Sequence, residues 1–129
     1  MTARVPEIRC GVDLIEVERV RAAIERHGER FLRRIYTPQE AAYCQRKSLP
    51  WPSYAARFAA KEALFKSLPP GTVRALVWRE IGVARHPSGS PSLAFSGSTA
   101  EAVVGWRFVL SLSHTRALAV AQVIAIRDA

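Results

Sequence analysis

The chain has 129 residues, 49% of them apolar, and carries 19 basic against 11 acidic side chains for a net charge of +8. Such a length predicts one small domain over residues 1–129, and the apolar content excludes a disordered chain. The positive balance points to an anionic partner: nucleic acid, a phosphorylated cofactor or an acidic protein.

Met1–Glu7 lacks the apolar stretch of a signal peptide. Ile8, Cys10, Val12 and Leu14 alternate with other residues and predict a short first strand. Asp13, on its own, is a candidate N-cap for the segment that follows. Val17, Val20, Ile24 and Phe31 then mark the apolar side of a helix. Arg19, Arg26, Arg30 and Arg33 fall at steps of seven, four and three, so they share one face if that helix runs on through Gly28. With Glu16, Glu18, Glu25 and Glu29 interspersed, the face is either ordinary solvated surface or a docking site. No aromatic residues interleave with these arginines to stack bases, and no recognition helix is evident, so nucleic acid is not the expected partner.

Thr37-Pro38-Gln39-Glu40 predicts a capping box with proline at the first helical position, opening a helix to about Arg46 or Lys47. A link through Ser48–Pro52 leads to Arg57–Leu68, whose Ala, Leu, Lys and Glu content predicts a helix uninterrupted by Gly or Pro. Ala60, Leu64 and Leu68 form its apolar stripe; Phe58, Glu62 and Lys66 stack on another side. Glu62 and Lys66 are either a surface pair, contributing about 0.3–0.5 kcal/mol, or a hard-cation ligand one turn from a phosphate-binding lysine. Pro69-Pro70-Gly71 stops this helix. Strands are predicted at Val73–Trp78, Glu80–Arg85 and Leu93–Phe95, with a turn over Pro87–Pro91 and a short helix around Ala100–Val104. Two last strands, Phe108–Ser113 and Leu118–Ile126, flank His114-Thr115-Arg116, where His114 alone reads as a polar turn residue. The longest apolar run, Ala117–Ile126, contains Gln122 and is too short to span a bilayer. Cys10 and Cys44 lack metal-type spacing and fit a reduced, cytoplasmic protein with no membrane partner. The outline is α+β.

Gly11-Val12-Asp13, then Arg57-Phe58-Ala59-Ala60-Lys61-Glu62-Ala63 with Lys66, then Ser111-Leu112-Ser113-His114-Thr115 resemble, in order and spacing, the motifs of the holo-acyl-carrier-protein synthases. These are the short-chain branch of the 4′-phosphopantetheinyl transferases, and Glu25–Phe31 and Tyr36–Glu40 extend the likeness over nearly the whole chain. The resemblance implies an α+β 4′-phosphopantetheinyl transferase fold, a small antiparallel sheet packed with helices, in a homotrimer with active sites at subunit boundaries. It implies transfer of the phosphopantetheine arm of coenzyme A to a serine of an apo acyl carrier protein, releasing adenosine 3′,5′-bisphosphate, as fatty-acid and lipid biosynthesis require.

Carried over residue by residue, Asp13 and Glu62 would hold magnesium, a cation that takes oxygen ligands and keeps several waters. Asp13, Glu62 and Lys66 would be the catalytic set, with Lys66 holding phosphate oxygens as a point charge. Arg57, Lys66, His114 and Thr115 would contact coenzyme A, while Arg19, Arg26 and Arg30 would dock the carrier protein. The base for the serine proton stays open between Glu62 and a water of the cation. So does the role of Lys61, about 100° round the helix from Glu62. Three departures stand out: Arg9 where the family has glycine, Pro69-Pro70 in place of a Gly-Thr-Gly turn, and a shorter segment around Ser96–Val104. Proline cannot donate an N–H to phosphate. Two alternatives follow: a degenerate binder of coenzyme A or carrier protein, and a basic nucleic-acid-binding domain whose salt-sensitive affinity ignores Asp13 and Glu62.

Overall fold

A computed structural model describes residues 4–129, leaving Met1–Ala3 of the opening segment outside the described residues. The chain runs β1 (Glu7–Glu16), α1 (Val17–His27), α2 (Glu29–Ile35), α3 (Pro38–Gln45), α4 (Trp51–Ser67), α5 (Pro70–Val73) and a 3₁₀ turn (Trp78–Glu80). It continues through β2 (Ile81–Arg85), β3 (Pro91–Phe95), α6 (Gly97–Ala102), β4 (Trp106–His114) and β5 (Leu118–Arg127). An antiparallel sheet has the order β1-β5-β4, and β2 and β3 form a separate antiparallel pair. The α+β class expected from the sequence is the class observed.

Helix α4 packs across β1 and β5. Its buried face is mostly alanine: Ala59, Ala60 and Ala63 lie with Leu64 against Ala121, Val123 and Ala125. Small side chains on both elements let helix and sheet approach closely, and the gaps are filled by Ile81, Val83 and Leu110. Tyr54, Ala55 and Ala56 of the same helix close a second cluster with Val17, Val20, Ile24 and Cys44. So α4 is the shared wall of both apolar clusters, and every site residue it carries is held by both. Among the described residues no helix is long and apolar enough to cross a membrane.

Three expectations are corrected. The first helix does not run through Gly28, which takes φ 58° and donates its N–H to the Ile24 carbonyl. Glycine enters that conformation freely, so α1 ends there and α2 starts afresh. Arg30 and Arg33 therefore leave the face that carries Arg19 and Arg26. Val73–Trp78 is not a strand: Pro70 sits at the first position of α5, and the N–H groups of Thr72 and Val73 bond to the Pro69 carbonyl. Proline is preorganised for that position, and this local start outweighs the β-branched content after it. Helix α6 begins at Gly97, not Ala100, because the Glu80 carboxylate accepts from Thr99 N (3.0 Å), Thr99 Oγ1 (2.8 Å) and Ser98 Oγ (3.2 Å). That anchor lies about twenty residues upstream and has no local signal.

Both cysteines are free, Cys10 exposed and Cys44 buried. Burial pushes the Cys44 thiol from 9.0 up to about 11. The unfolded chain then ionises this thiol at lower pH than the folded one. Its contribution to stability is complete below pH 9 and is lost as the pH climbs toward 11. Tyr36, raised well above 10.0 mainly by burial, acts in the same direction above its own ordinary value. Urea titrations at steps across that alkaline range should show stability falling. A Cys44→Ala chain should fall less steeply, the difference reaching about 2–3 kcal/mol.

Candidate functional site

Asp13 lies within β1, opposite Ala121, and the N-cap of α1 is Glu16, so Asp13 caps no helix. Gly11, two residues earlier on the same face, sits under α4. A Cβ there would stand 2.1 Å from the Ala63 carbonyl oxygen and 2.9 Å from Lys66 Cβ. This contact brings Asp13 to the C-terminal half of α4. Lys66 Nζ donates to Asp13 Oδ1 at 3.0 Å and to the Val12 carbonyl at 3.1 Å. Among the described residues it forms no ion pair with Glu62; the helix-surface pair is replaced by a bond across to the strand. Gly11→Ala should collide with backbone rather than with a movable side chain, at a cost of roughly 1–3 kcal/mol or more. The expected result is a lowered unfolding midpoint together with a loss of whatever chemistry depends on Asp13, read by thermal melt and activity on one sample.

Glu62 is half-buried one turn before Lys66. Its carboxyl titrates above the ordinary value, first because burial penalises the charge, then because the Asp13 carboxylate faces it; Lys66 pulls the other way. A carboxylate whose proton affinity is raised by a second carboxylate beside it favours a cation placed between the two. The donor set is hard oxygen only. Among the described residues no three His, Cys, Asp or Glu side chains converge as a self-sufficient metal site. That suits a cation that completes its shell with water and substrate oxygen.

Lys61 points the other way round the helix and is fully buried. Its Nζ donates to Glu40 Oε1 (2.6 Å), the Ile35 carbonyl (2.6 Å) and the Trp78 carbonyl (3.4 Å). Burial lowers its proton affinity, and the Glu40 charge restores part of it. Glu40 meanwhile accepts from Thr37 N in the predicted capping box and from Val83 N. Lys61 is thus a tie between α4, α2, α3 and the 3₁₀ turn, not a ligand for phosphate.

Arg57, five residues before Glu62, is only 4% exposed. One of its amino groups donates to the Ser53 carbonyl at 3.3 Å, while its Nε has no partner. The guanidinium lies 4.4 Å from the Tyr43 ring centroid, and Lys47 (4.9 Å), Arg46 (5.8 Å) and Arg85 (6.0 Å) surround the same ring. None of these four cations pairs with a carboxylate among the described residues. A buried donor without a partner, ringed by like charges, favours an anion. Sequence reasoning named Arg57 alone. Tyr43 and Lys47, four apart near the end of α3, were the available hint, whereas Arg85 comes from β2 and gave none.

His114 ends β4 in the cross-strand row Ile15–Ala119–His114, whereas Asp13 belongs to the row Asp13–Ala121–Leu112. Two strands and two residues separate them, roughly 12 Å between Cα atoms. Thr115 Oγ1 accepts from Ala117 N (3.2 Å) and Leu118 N (3.0 Å), shaping the β4–β5 turn. The single chain therefore unites Asp13, Glu62 and Lys66 and keeps His114 and Thr115 apart from them. Arg9, the residue in place of glycine, donates from Nε to the Ser67 carbonyl at 3.2 Å and so closes the C-terminus of α4. Arg19 and Arg26 are exposed on α1, and Arg30 is exposed on α2.

A family model for the 4′-phosphopantetheinyl transferase superfamily matches residues 9–122. The chain belongs to this superfamily. Within it, the chain is 45% identical over 117 residues to a holo-(acyl-carrier-protein) synthase of Koribacter versatilis, covering 88% of this chain and 94% of that one. It is 43% identical over 115 residues to the synthase of Chlamydia muridarum, with 89% and 91% coverage. Among solved structures, the synthase of Bacillus anthracis in complex with CoA (3′,5′-ADP) superposes with a TM-score of 0.76 at 29% identity, covering 92% of this chain and 96% of that one. The synthase of Neisseria meningitidis gives a TM-score of 0.79 at 28% identity, with 91% and 96% coverage. The transferase fold named from the motifs is therefore the fold observed.

Proposed function

We propose that the chain is a magnesium-dependent holo-acyl-carrier-protein synthase, with residues 1–129 acting as one cytoplasmic transferase domain. It moves the phosphopantetheine arm of coenzyme A onto a serine of an apo acyl carrier protein and releases adenosine 3′,5′-bisphosphate. The observation that carries this reading is the meeting of Asp13 and Lys66, 53 residues apart in sequence, beside the half-buried Glu62. Asp13 and Glu62 are the residues that would hold magnesium. When bound, the ion supplies charge neutralisation and orientation for the diphosphate. Lys66, half-exposed at its tip, would trade its bond to Asp13 for a diphosphate oxygen. Glu62, with its raised proton affinity, is suited to receive the serine proton on a carboxylate oxygen. The serine oxygen then bonds to the phosphorus bearing the pantetheine arm as the bond to the nucleotide phosphate breaks. Arg57 and the cations around Tyr43 offer a seat for the anionic nucleotide.

The remaining nucleotide contacts, His114 and Thr115, suit a site shared between subunits of a homotrimer. Support comes from the sheet face turned away from α4. Ile8 and Leu14 are each 65% exposed there, alongside Val12 and Val109, a larger apolar surface than solvent normally meets. Leu14→Arg should dissociate the assembly in sedimentation equilibrium and speed alkylation of the exposed Cys10 on the same face. A wild-type chain that sediments as a monomer would overturn the trimer, and a variant that keeps a trimeric mass would overturn this face as its interface. The transferase itself is tested by intact-mass spectrometry of apo carrier protein incubated with this protein, coenzyme A and magnesium. The expected result is a gain of one phosphopantetheine arm that disappears with a chelator. No gain on fatty-acid or polyketide carriers, with the protein folded, would overturn it.

A further inference from the structure

Two hollows on the protein surface are not used by the proposed chemistry. One, of about 470 Å³, is lined by Arg30, Arg33, Arg34, Arg79 and Val77. All four guanidinium groups are exposed. Among the described residues Arg30, Arg34 and Arg79 pair with no carboxylate, and Arg33 has only a 3.8 Å contact to Glu29 in which both side chains are mostly in solvent. The other hollow, of about 770 Å³, is a groove between α2 and α3 with Leu32, Pro38, Ala41 and Ala42 along it. Arg33 and Arg79 line both, so the two are one continuous surface with an apolar channel and an arginine rim. Glu29 is the one acid on its wall.

The chemistry of the surface selects among occupants. Its aromatic residues, Tyr36 and Tyr54, are buried with their hydroxyls committed to internal hydrogen bonds, so no ring is free to stack a base. The arginines are held by no buried partner, which gives a small anion no prebuilt cradle. Apolar residues beside unpaired guanidinium groups suit an acidic protein segment with apolar side chains. Arg30, itself one of the arginines expected to face the carrier protein, lines this surface. The break at Gly28 turns the continuation onto α2, where Arg79 from the 3₁₀ turn completes it.

We propose that this α2–α3 surface is a second docking site for the carrier protein, receiving an acidic, apolar-edged segment of it with carboxylates on Arg33, Arg34 and Arg79. The proposal rests on the transferase reading for its partner. The test is direct titration of apo carrier protein onto the full chain and onto an Arg33→Glu/Arg79→Glu double variant, alongside turnover. The double variant should bind carrier about tenfold more weakly at low salt, with the gap closing at high salt and the Michaelis constant for coenzyme A unchanged. A second variant, Ala42→Trp, fills the groove without altering charge and should weaken carrier binding at any salt. Equal carrier affinity in wild type and both variants would overturn the proposal. So would a double variant that loses only single-stranded DNA binding, in favour of a nucleic-acid surface. Weakened carrier binding in a protein whose wild type transfers nothing would sustain the docking site while refuting the transferase.

Discussion

Glu62→Gln is expected to reduce phosphopantetheine transfer by roughly a thousandfold or more, because a cation site that loses a carboxylate forfeits several kcal/mol of charge stabilisation. The same change should leave stability level or slightly higher. Burial and Asp13 both work against the Glu62 charge, and a neutral amide of the same shape relieves them. Asp13→Asn should match it in activity but not in stability. Asp13 also accepts the Lys66 bond at 3.0 Å, and since Lys66 is half in solvent that loss stays below about 1 kcal/mol. Turnover at limiting magnesium and urea unfolding on the same preparations check both halves. Near-normal turnover by either variant would sink the assignment of the metal ligands.

Lys61→Ala should have its largest effect on folding instead. It leaves the Glu40 carboxylate buried without its cation and the Ile35 carbonyl without its donor. Breaking a buried pair from one side costs about 3–5 kcal/mol, a fall in unfolding temperature on the order of 10–20 °C. A Lys61→Met/Glu40→Gln double replacement removes both charges and should recover part of that, though Glu40 also accepts from Thr37 N and Val83 N. Thermal melts of the single and double variants measure the coupling. A Lys61→Ala protein as stable as the parent yet inactive would mean that this lysine serves the substrate after all.

Lys61 and Glu62 also show where sequence reading reaches its limit. The capping box at Thr37 and the helix through Glu62 were legible because caps and propensities act within a few residues. The terminal strands were legible for the same reason, since alternation is local. Gly28 offered a choice between interrupting a helix and ending one, and only the packing of α2 resolved it. Val73–Trp78 went astray because apolar residues outside a strand serve equally as packing, and Val73 and Leu76 pack against the helix–sheet core. The basic ring around Tyr43 draws on α3, α4 and β2, three segments that share no pattern.

Local chemistry along the chain specifies the helices, the strands, the motif order and, through them, the family. It also supplies the inventory of carboxylates, lysines and arginines. Which members of that inventory meet is settled elsewhere. Asp13 reaches Glu62 and Lys66 because Gly11 lets β1 settle directly on Ala63, a contact across some fifty residues. Lys66 leaves Glu62 for Asp13 because the close approach of β1 brings that carboxylate within reach, and Lys61 turns inward to Glu40 because its burial makes the charge seek a partner. Propensity acts along the chain, but desolvation and close approach act through space, so neighbouring Lys61 and Glu62 end with opposite roles.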